Sequence, residues 1–333
     1  MPDEAEIISR IRKLLPVNKD VLLGIGDDAA VIKTTSGNDL IACCDLLVEG
    51  VHFRTDWTPQ RLLGWKSLAV SLSDVAAMGG VPRFALMSIA LPHWCSSDYI
   101  DGLFEGMSEL AKASGVAIIG GDTSSSRDSL FIDVTVIGEC QSGKAITRRG
   151  ASIGDRIYVS GSLGASTLGL LLLEKGFRLD DSQSASDLRR QAVLKHLSPE
   201  PQLKLGRALG ETGLATAMID ISDGLSTDLS HILDESSVGG VVHAGAIPIA
   251  ESVLSTASWT PEINRLSLAI NGGEEYELLF TARSDNHQRI LDLAERNDVK
   301  VTVIGDIIAE PKLHLEQNGA IELFPPLGYQ HLI

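Results

Sequence analysis

Short apolar runs alternate with stretches of helical spacing along nearly all 333 residues, and this rhythm limits the fold more than any other feature. Residues 4–15 place Ile7, Ile8, Ile11, Leu14 and Leu15 on one helical stripe, closed by Pro16. Residues 21–23 and 29–32 read as strands flanking GIGDD, and 40–44 as a short buried strand. A helix is expected over 59–75, extending as far as Met78, then a strand over 84–91 and a helix over 97–114 that stops at Gly115. Strands follow at 116–119 and 130–138. The short polar text TRRGASIGD then marks a boundary, giving domains 1–147 and 148–333. The second half repeats the rhythm. Strands are expected at 156–160, 215–221, 276–280 and 301–304; helices at 202–211, 225–236 and 286–297, with one running to Leu173; 265–270 is helical or buried; and 180–189 is a polar surface link. Such mixing specifies an α/β fold, or α+β with mixed sheets, in both halves.

Charge narrows the partners. The 44 acidic residues exceed the 28 basic ones by 16. A nucleic-acid binder needs a basic field to displace counterions, and anionic lipid needs one too, so neither partner is expected. Phosphate substrates stay open, because carboxylates can hold Mg2+ and the metal then carries the positive field. The start, MPDEAEIISR, has neither a basic nor an apolar targeting run, and no apolar stretch has membrane-spanning length. Four cysteines without a CxxC pair fit a reducing compartment, so a cytoplasmic location is expected.

The acids are not scattered. LIACCD ends in Asp45, SLAVSLSD in Asp74 and VAIIGGD in Asp122; ATAMIDISD carries Asp220 and Asp223, and LLGIGDD supplies Asp27 and Asp28. Each puts a carboxylate at the exit of an apolar element, where a loop can aim it into a crevice. Any one of them is explained by turn or cap chemistry. As a set, converging carboxylates repel unless cations are present, and hard oxygen-seeking ions such as Mg2+ or Ca2+ are the economical solution.

Other signatures are weak. There is no P-loop, no GxSxG elbow and no GxGxxG with a downstream acid. GSLGAS at 161–166 could offer N–H groups to an anion, or be only a strand-to-helix turn. His52 follows Asp45 by seven residues. Arg148 and Arg149 form either a phosphate clamp or a solvated pair. In GGEEYELLF the spacing of Glu275 and Glu277 could mark the wet face of a strand. Tyr329 could pack the terminus or stack on a flat ring.

Read together, GIGDDAAV, CCDLLVEGVHF, KSLAVSLSDVAAMGG, IIGGDTSSS, TRRGASIGDRIYVSG, IDISDGLSTDL and NGGEEYELLF resemble the thiamine-monophosphate kinase family, in that family's order and from about residue 21 onward. The resemblance implies a two-domain fold of the aminoimidazole ribonucleotide synthetase type, with N-terminal sheets pairing across a homodimer. It implies ATP as co-substrate, thiamine monophosphate as acceptor, thiamine diphosphate as product, and several Mg2+ ions. Carried onto this sequence, it places metal ligands at Asp28, Asp45, Asp74, Asp122, Asp220 and Asp223, which are also the catalytic set. The nucleotide would lie beside Gly121 and Asp122, with Ser222 and Arg148 on its phosphates. His52, Glu274 and Tyr329 would contact thiamine phosphate.

The chain departs from the family pattern in three places. Cys43 and Cys44 stand where a hydroxyl residue usually precedes Asp45, leaving Cys44 a backbone carbonyl to offer a metal. Glu275 replaces the commoner Asp, and Ser124–Ser125 replace Thr-Arg. Two rival readings follow: another ATP- and Mg2+-dependent enzyme of the same superfamily, or a catalytically weak acidic metal-binding module.

Overall fold

The computed structural model describes residues 13–14, 19–23, 31–32, 34–180, 183–258 and 263–329. The expected helix over 4–15 falls almost wholly outside these, as do Asp27 and Asp28. The chain divides into two compact units. Met1–Val75 and Gly80–Gly143 form the first; Ala76–Gly79 and Lys144–Ile333 form the second.

The first unit begins with β1 (Val21–Leu23) and β2 (Val31–Ile32), paired antiparallel. Its main sheet has the order β3-β6-β4-β5, built from β3 (Asn38–Val48), β4 (Val81–Leu91), β5 (Ala117–Ser125) and β6 (Phe131–Gln141). β6 runs antiparallel to both neighbours, and β5 runs parallel to β4. Its sheet is joined by the helices α1 (Gln60–Ala77) and α2 (Ser97–Ser114). Ser96 caps α2 by accepting from Tyr99 N–H, and Gly115 ends it in the left-handed conformation. The helices cross at two glycines. A Cβ on Gly64 would lie 1.8 Å from the Leu103 carbonyl oxygen, and one on Gly106 would lie 1.8 Å from that of Arg61. Only a residue without a side chain permits that approach.

One face of the sheet is buried, through Ile41, Leu47, Ile132, Val134, Val136, Met87 and Ile89. The other stays open along β3, where Leu40, Ala42, Cys44 and Leu46 alternate outward. Leu40 and Leu46 are 57% and 52% exposed.

The second unit has a seven-stranded sheet, β13-β12-β9-β11-β7-β10-β8. In chain order its elements are β7 (Asp155–Ser160), α3 (Ala165–Glu174), α4 (Leu188–Leu197), α5 (Leu203–Thr212), β8 (Ala217–Asp220), α6 (Leu225–Ser236) and β9 (Gly239–His243). They continue with α7 (Glu251–Leu254), α8 (Arg265–Asn271), β10 (Leu278–Arg283), α9 (His287–Arg296), β11 (Val301–Ile308), β12 (Leu313–Gln317) and β13 (Ala320–Leu323). All pairs are antiparallel except β9 with β12. Strand alternation divides the core between the two faces of this sheet. Ile157, Val159 and Leu279 pack with Leu225, Leu229 and Ile232 of α6 and Ile270 of α8. Tyr158 and Phe280 stack at 5.1 Å and pack with Leu205 and Leu209 of α5 and Ile290 of α9.

Several boundaries differ from the sequence expectation. β3 extends beyond 40–44 at both ends because its whole length pairs with β6, and β5 continues past 119 because its ladder with β4 carries on through small and polar residues. The link over 180–189 gives way at Leu188 to α4, whose buried residues are only Ala192, Val193, His196 and Leu197. β10 starts at Leu278 rather than 276, because Tyr276 has φ 51° and cannot lie in a strand. No helix among the described residues is long and apolar enough to cross a membrane.

Candidate functional site

Acidic side chains gather at one place in each unit. In the first, Asp45 projects from β3 onto the buried face. Ser71 of α1 donates to Asp45 Oδ2 at 2.7 Å and lies 2.9 Å from the Val134 carbonyl. Asp74 stands one helical turn after Ser71 and so shares its face of α1. Cys43, two residues before Asp45, points the same way and donates its thiol to the Ser71 carbonyl at 3.2 Å. Ligand atoms of Cys43, Asp45 and Asp74 all lie within 4.8 Å of one another. Burial raises the Asp45 pKa from its ordinary value, against the Ser71 hydrogen bond, and nearby Asp133 adds to the rise. Burial, then Asp74 and Asp45, push the Cys43 thiol far up, so it stays protonated. Two carboxylates fit a hard ion such as Mg2+, for which a protonated thiol is a poor ligand. Cys44 turns its side chain to the open face, away from this group.

Gly121 stands opposite Met87 on β4, where a Cβ would meet the Met87 carbonyl oxygen at 1.7 Å. Asp122 falls in the row Ser88–Asp133–Leu46, on the open face, so the sheet does not bring it to Asp45. Its Oδ1 accepts the Thr123 N–H at 2.9 Å. His52 is half-buried just after β3, and its Nδ1 accepts the Val48 N–H at 3.0 Å. A neutral ring there carries its proton on Nε2.

In the second unit the backbone collects residues more than a hundred positions apart. β8 ends at Asp220, which is 5% exposed, and the turn Ile221–Gly224 leads into α6. Gly224 takes φ 119°, a conformation closed to side-chain-bearing residues. Glu274 N–H donates to the Ser222 carbonyl at 2.7 Å, Tyr276 N–H to that of Ile221 at 2.8 Å, and Tyr329 N–H to that of Asp223 at 2.9 Å. Asp220, Ser222, Asp223, Glu274 and Tyr329 therefore meet at one turn. Arg148 is exposed, and its carbonyl accepts from Ser236 Oγ at 3.3 Å.

The residue that organises the turn is Asp228, on the first turn of α6. Its Oδ2 accepts the N–H groups of Ser222, Asp223 and Gly224 at 3.1, 3.1 and 3.0 Å. Burial, then the charges of Asp220 and Asp223, push its pKa up to about 8, against the Gly224 and Asp223 amide bonds. Neither apolar-run exits nor the family resemblance singles it out. Its signal is an acid four residues after a turn glycine, reaching back to orphan amides at a helix start.

Glu275 and Glu277 are not on the wet face of a strand; they are 0% and 4% exposed. Glu277 pairs with Lys195 Nζ at 2.7 Å and accepts from Ser160 Oγ at 2.6 Å. Glu275 Oε1 accepts the N–H groups of Gly164 and Ser166 at 2.8 and 3.0 Å. The GSLGAS turn does hold an anion, and that anion is the chain's own. Burial moves Glu275 up to about 7, with Lys195 and the two amides opposing. His196 Nδ1 lies 3.1 Å from Glu274 Oε2 and 3.2 Å from Ser166 Oγ.

The fold and these acidic turns define a class. Residues 26–140 match the N-terminal domain of AIR synthase related proteins, and 152–318 match their C-terminal domain. Within that class, the chain belongs to the thiamine-monophosphate kinase family. It is 35% identical to the thiamine-monophosphate kinase of Bacillus subtilis, over 99% of each chain. The crystal structure of thiamine-monophosphate kinase from Stenotrophomonas maltophilia is 36% identical, with a TM-score of 0.84, covering 95% of this chain and 98% of that one. AaThiL complexed with AMPPCP and TMP is 29% identical, with a TM-score of 0.77, covering 99% of this chain and 97% of that one.

Proposed function

We propose that the chain transfers the γ-phosphoryl group of ATP to thiamine monophosphate, giving thiamine diphosphate and ADP. The observation that carries this reading is the single turn in the second unit at which Asp220, Ser222, Asp223, Glu274 and Tyr329 meet. It stands beside full-length likeness to kinases of this name.

The acceptor is itself a phosphate, whose oxygen is anionic near neutral pH, so direct in-line attack needs no general base. The protein's part is positioning and charge. Asp45 and Asp74, with ligand atoms within 4.8 Å, repel each other as bare carboxylates and would hold Mg2+. Asp220 and Asp223 are the corresponding pair in the second unit, and Asp28 and Asp122 complete the proposed set. Bound Mg2+ supplies neutralisation between two anionic phosphates. Ser222 and Arg148 offer a hydroxyl and a guanidinium to nucleotide phosphates, with Gly121 and Asp122 beside the nucleotide. Tyr329, half exposed, offers a ring face to a flat heterocycle, while His52 and Glu274 contact the rest of thiamine phosphate.

The working form is a homodimer with first-unit sheets paired. Support comes from the open face of β3, whose alternating Leu40, Ala42, Cys44 and Leu46 present apolar surface without a cover among the described residues. An ADP-release assay with thiamine monophosphate, with and without Mg2+, tests the activity. Release that thiamine monophosphate does not stimulate would refute it.

A further inference from the structure

We infer that Glu275 is a positioning residue: by occupying the amide turn at the start of α3 it fixes where the neighbouring Glu274 carboxylate is held. The inference deepens the kinase reading and rests on it for the identity of the substrate.

The segment Glu274–Glu277 is built on alternation. Glu275 and Glu277 point inward, to the α3 amides and to Lys195 with Ser160. Glu274 and Tyr276, between and before them, have φ of 58° and 51°. Left-handed backbone is unfavourable for residues with side chains, and two such residues flanking one position persist only where the surroundings enforce them. Part of the enforcement is backbone, through Glu274 N–H to Ser222 and Tyr276 N–H to Ile221. The Glu275 carboxylate adds a side-chain anchor, fully buried and bound by two N–H groups more than a hundred residues away in the chain.

The second Glu275 oxygen, Oε2, is buried without a hydrogen-bond partner. A group whose only hydrogen bonds run through one oxygen is there for what that oxygen holds. The same α3 turn also fixes Ser166, whose hydroxyl meets His196, and His196 Nδ1 meets Glu274 Oε2. Glu274 is thus tied to α3 twice: through its own carboxylate by way of His196, and through the backbone of its neighbour. Without Glu275, the two left-handed residues can relax and the Glu274 carboxylate moves.

The test compares Glu275→Ala, Glu275→Gln and Glu275→Asp in the full-length protein. Gln keeps an acceptor oxygen at the same reach; Ala removes it; Asp shortens the arm by a methylene. With wild-type ADP release established, Glu275→Ala raises KM for thiamine monophosphate about tenfold or more while KM for ATP stays within about twofold. Glu275→Gln stays near wild type. Glu275→Asp falls between, and serves should the alanine variant not fold. Amide hydrogen exchange at Gly164 and Ser166 gives a second readout that needs no activity: protected in wild type and Gln, exposed in Ala. A wild type that thiamine monophosphate does not stimulate defeats the kinase reading, while the exchange data still judge the anchor. An unchanged KM for thiamine monophosphate in folded Ala or Asp variants, equal rises in both KM values, or unaltered exchange at the two amides overturns the inference.

Discussion

Asp228 carries a stability signature that can be read without substrate. Its pKa rises from 3.8 to about 8, chiefly by burial and then by Asp220 and Asp223. Between those values the folded protein holds a proton that the unfolded chain has released. The native state binds more protons there, so stability falls as pH rises from about 4 towards 8, and levels off above. Each tenfold gain in proton affinity corresponds to about 1.4 kcal/mol, so the rise at Asp228 sets an upper bound on the order of 6 kcal/mol. Asp228→Asn removes this dependence while keeping an acceptor oxygen for the Ser222, Asp223 and Gly224 amides. Urea unfolding of both proteins in chelator at intervals from pH 5 to 9 checks it. Other raised groups, Glu275 and Asp45 among them, titrate in both proteins and cancel in the difference. The expected outcome is near-equal stability at pH 5, within about 1 kcal/mol, and a variant that becomes progressively more stable than wild type as pH rises from 5 to about 8, with a constant gap above. An offset constant across the whole range would refute the reasoning.

Further outcomes follow from the same geometry. Asp45→Ala lowers kcat by about a hundredfold or more at saturating Mg2+ while far-UV circular dichroism stays native; a near-native rate would remove Asp45 from the site. The double variant Leu40→Asp with Leu46→Asp, placed on the open face of β3, sediments as a monomer if that face joins two copies; an unaltered dimer points to another surface. Gly328→Ala would bring a Cβ within 2.2 Å of the Asp223 carbonyl oxygen and displace the Tyr329 backbone. It raises KM for thiamine monophosphate about fivefold or more with kcat little changed, and an unchanged KM removes Tyr329 from substrate binding.

What the sequence reveals depends on how local the cause is. Asp45, Asp74, Asp220 and Asp223 stand out because each ends or lines an apolar run, and strand and helix periodicity mark such runs directly. α2 is legible for the same reason: Ser96, the stripe from Ile100 to Leu110 and Gly115 all lie within its own sequence. The helix α4 is not, since LRRQAVLKHL buries few residues and is placed by packing. β9, with the text GGVVH, reads as a turn until β11 and β12 pair with it on either side. The burial of Glu275 and Glu277 depends on partners more than eighty residues away, Lys195 and the α3 amides. Which of the two cysteines before Asp45 turns its thiol towards the acids is not legible either. Adjacent residues on a strand face opposite ways, and only the sheet decides that Cys43 is the one beside Asp45.

The crossing of α1 over α2 has a consequence for the acids it never touches. Gly64 and Gly106 let the two backbones meet without intervening side chains, and Ser71 and Asp74 ride on the same rigid helix two and three turns further along. Helix tilt is a lever: a methyl group's width inserted at the crossing grows with distance into a displacement at Asp74 comparable to the tolerance of a metal–oxygen bond. The spacing of Asp45 and Asp74 is therefore gauged by a pair of residues with no side chains at all, one of them on a helix that contributes nothing to the chemistry.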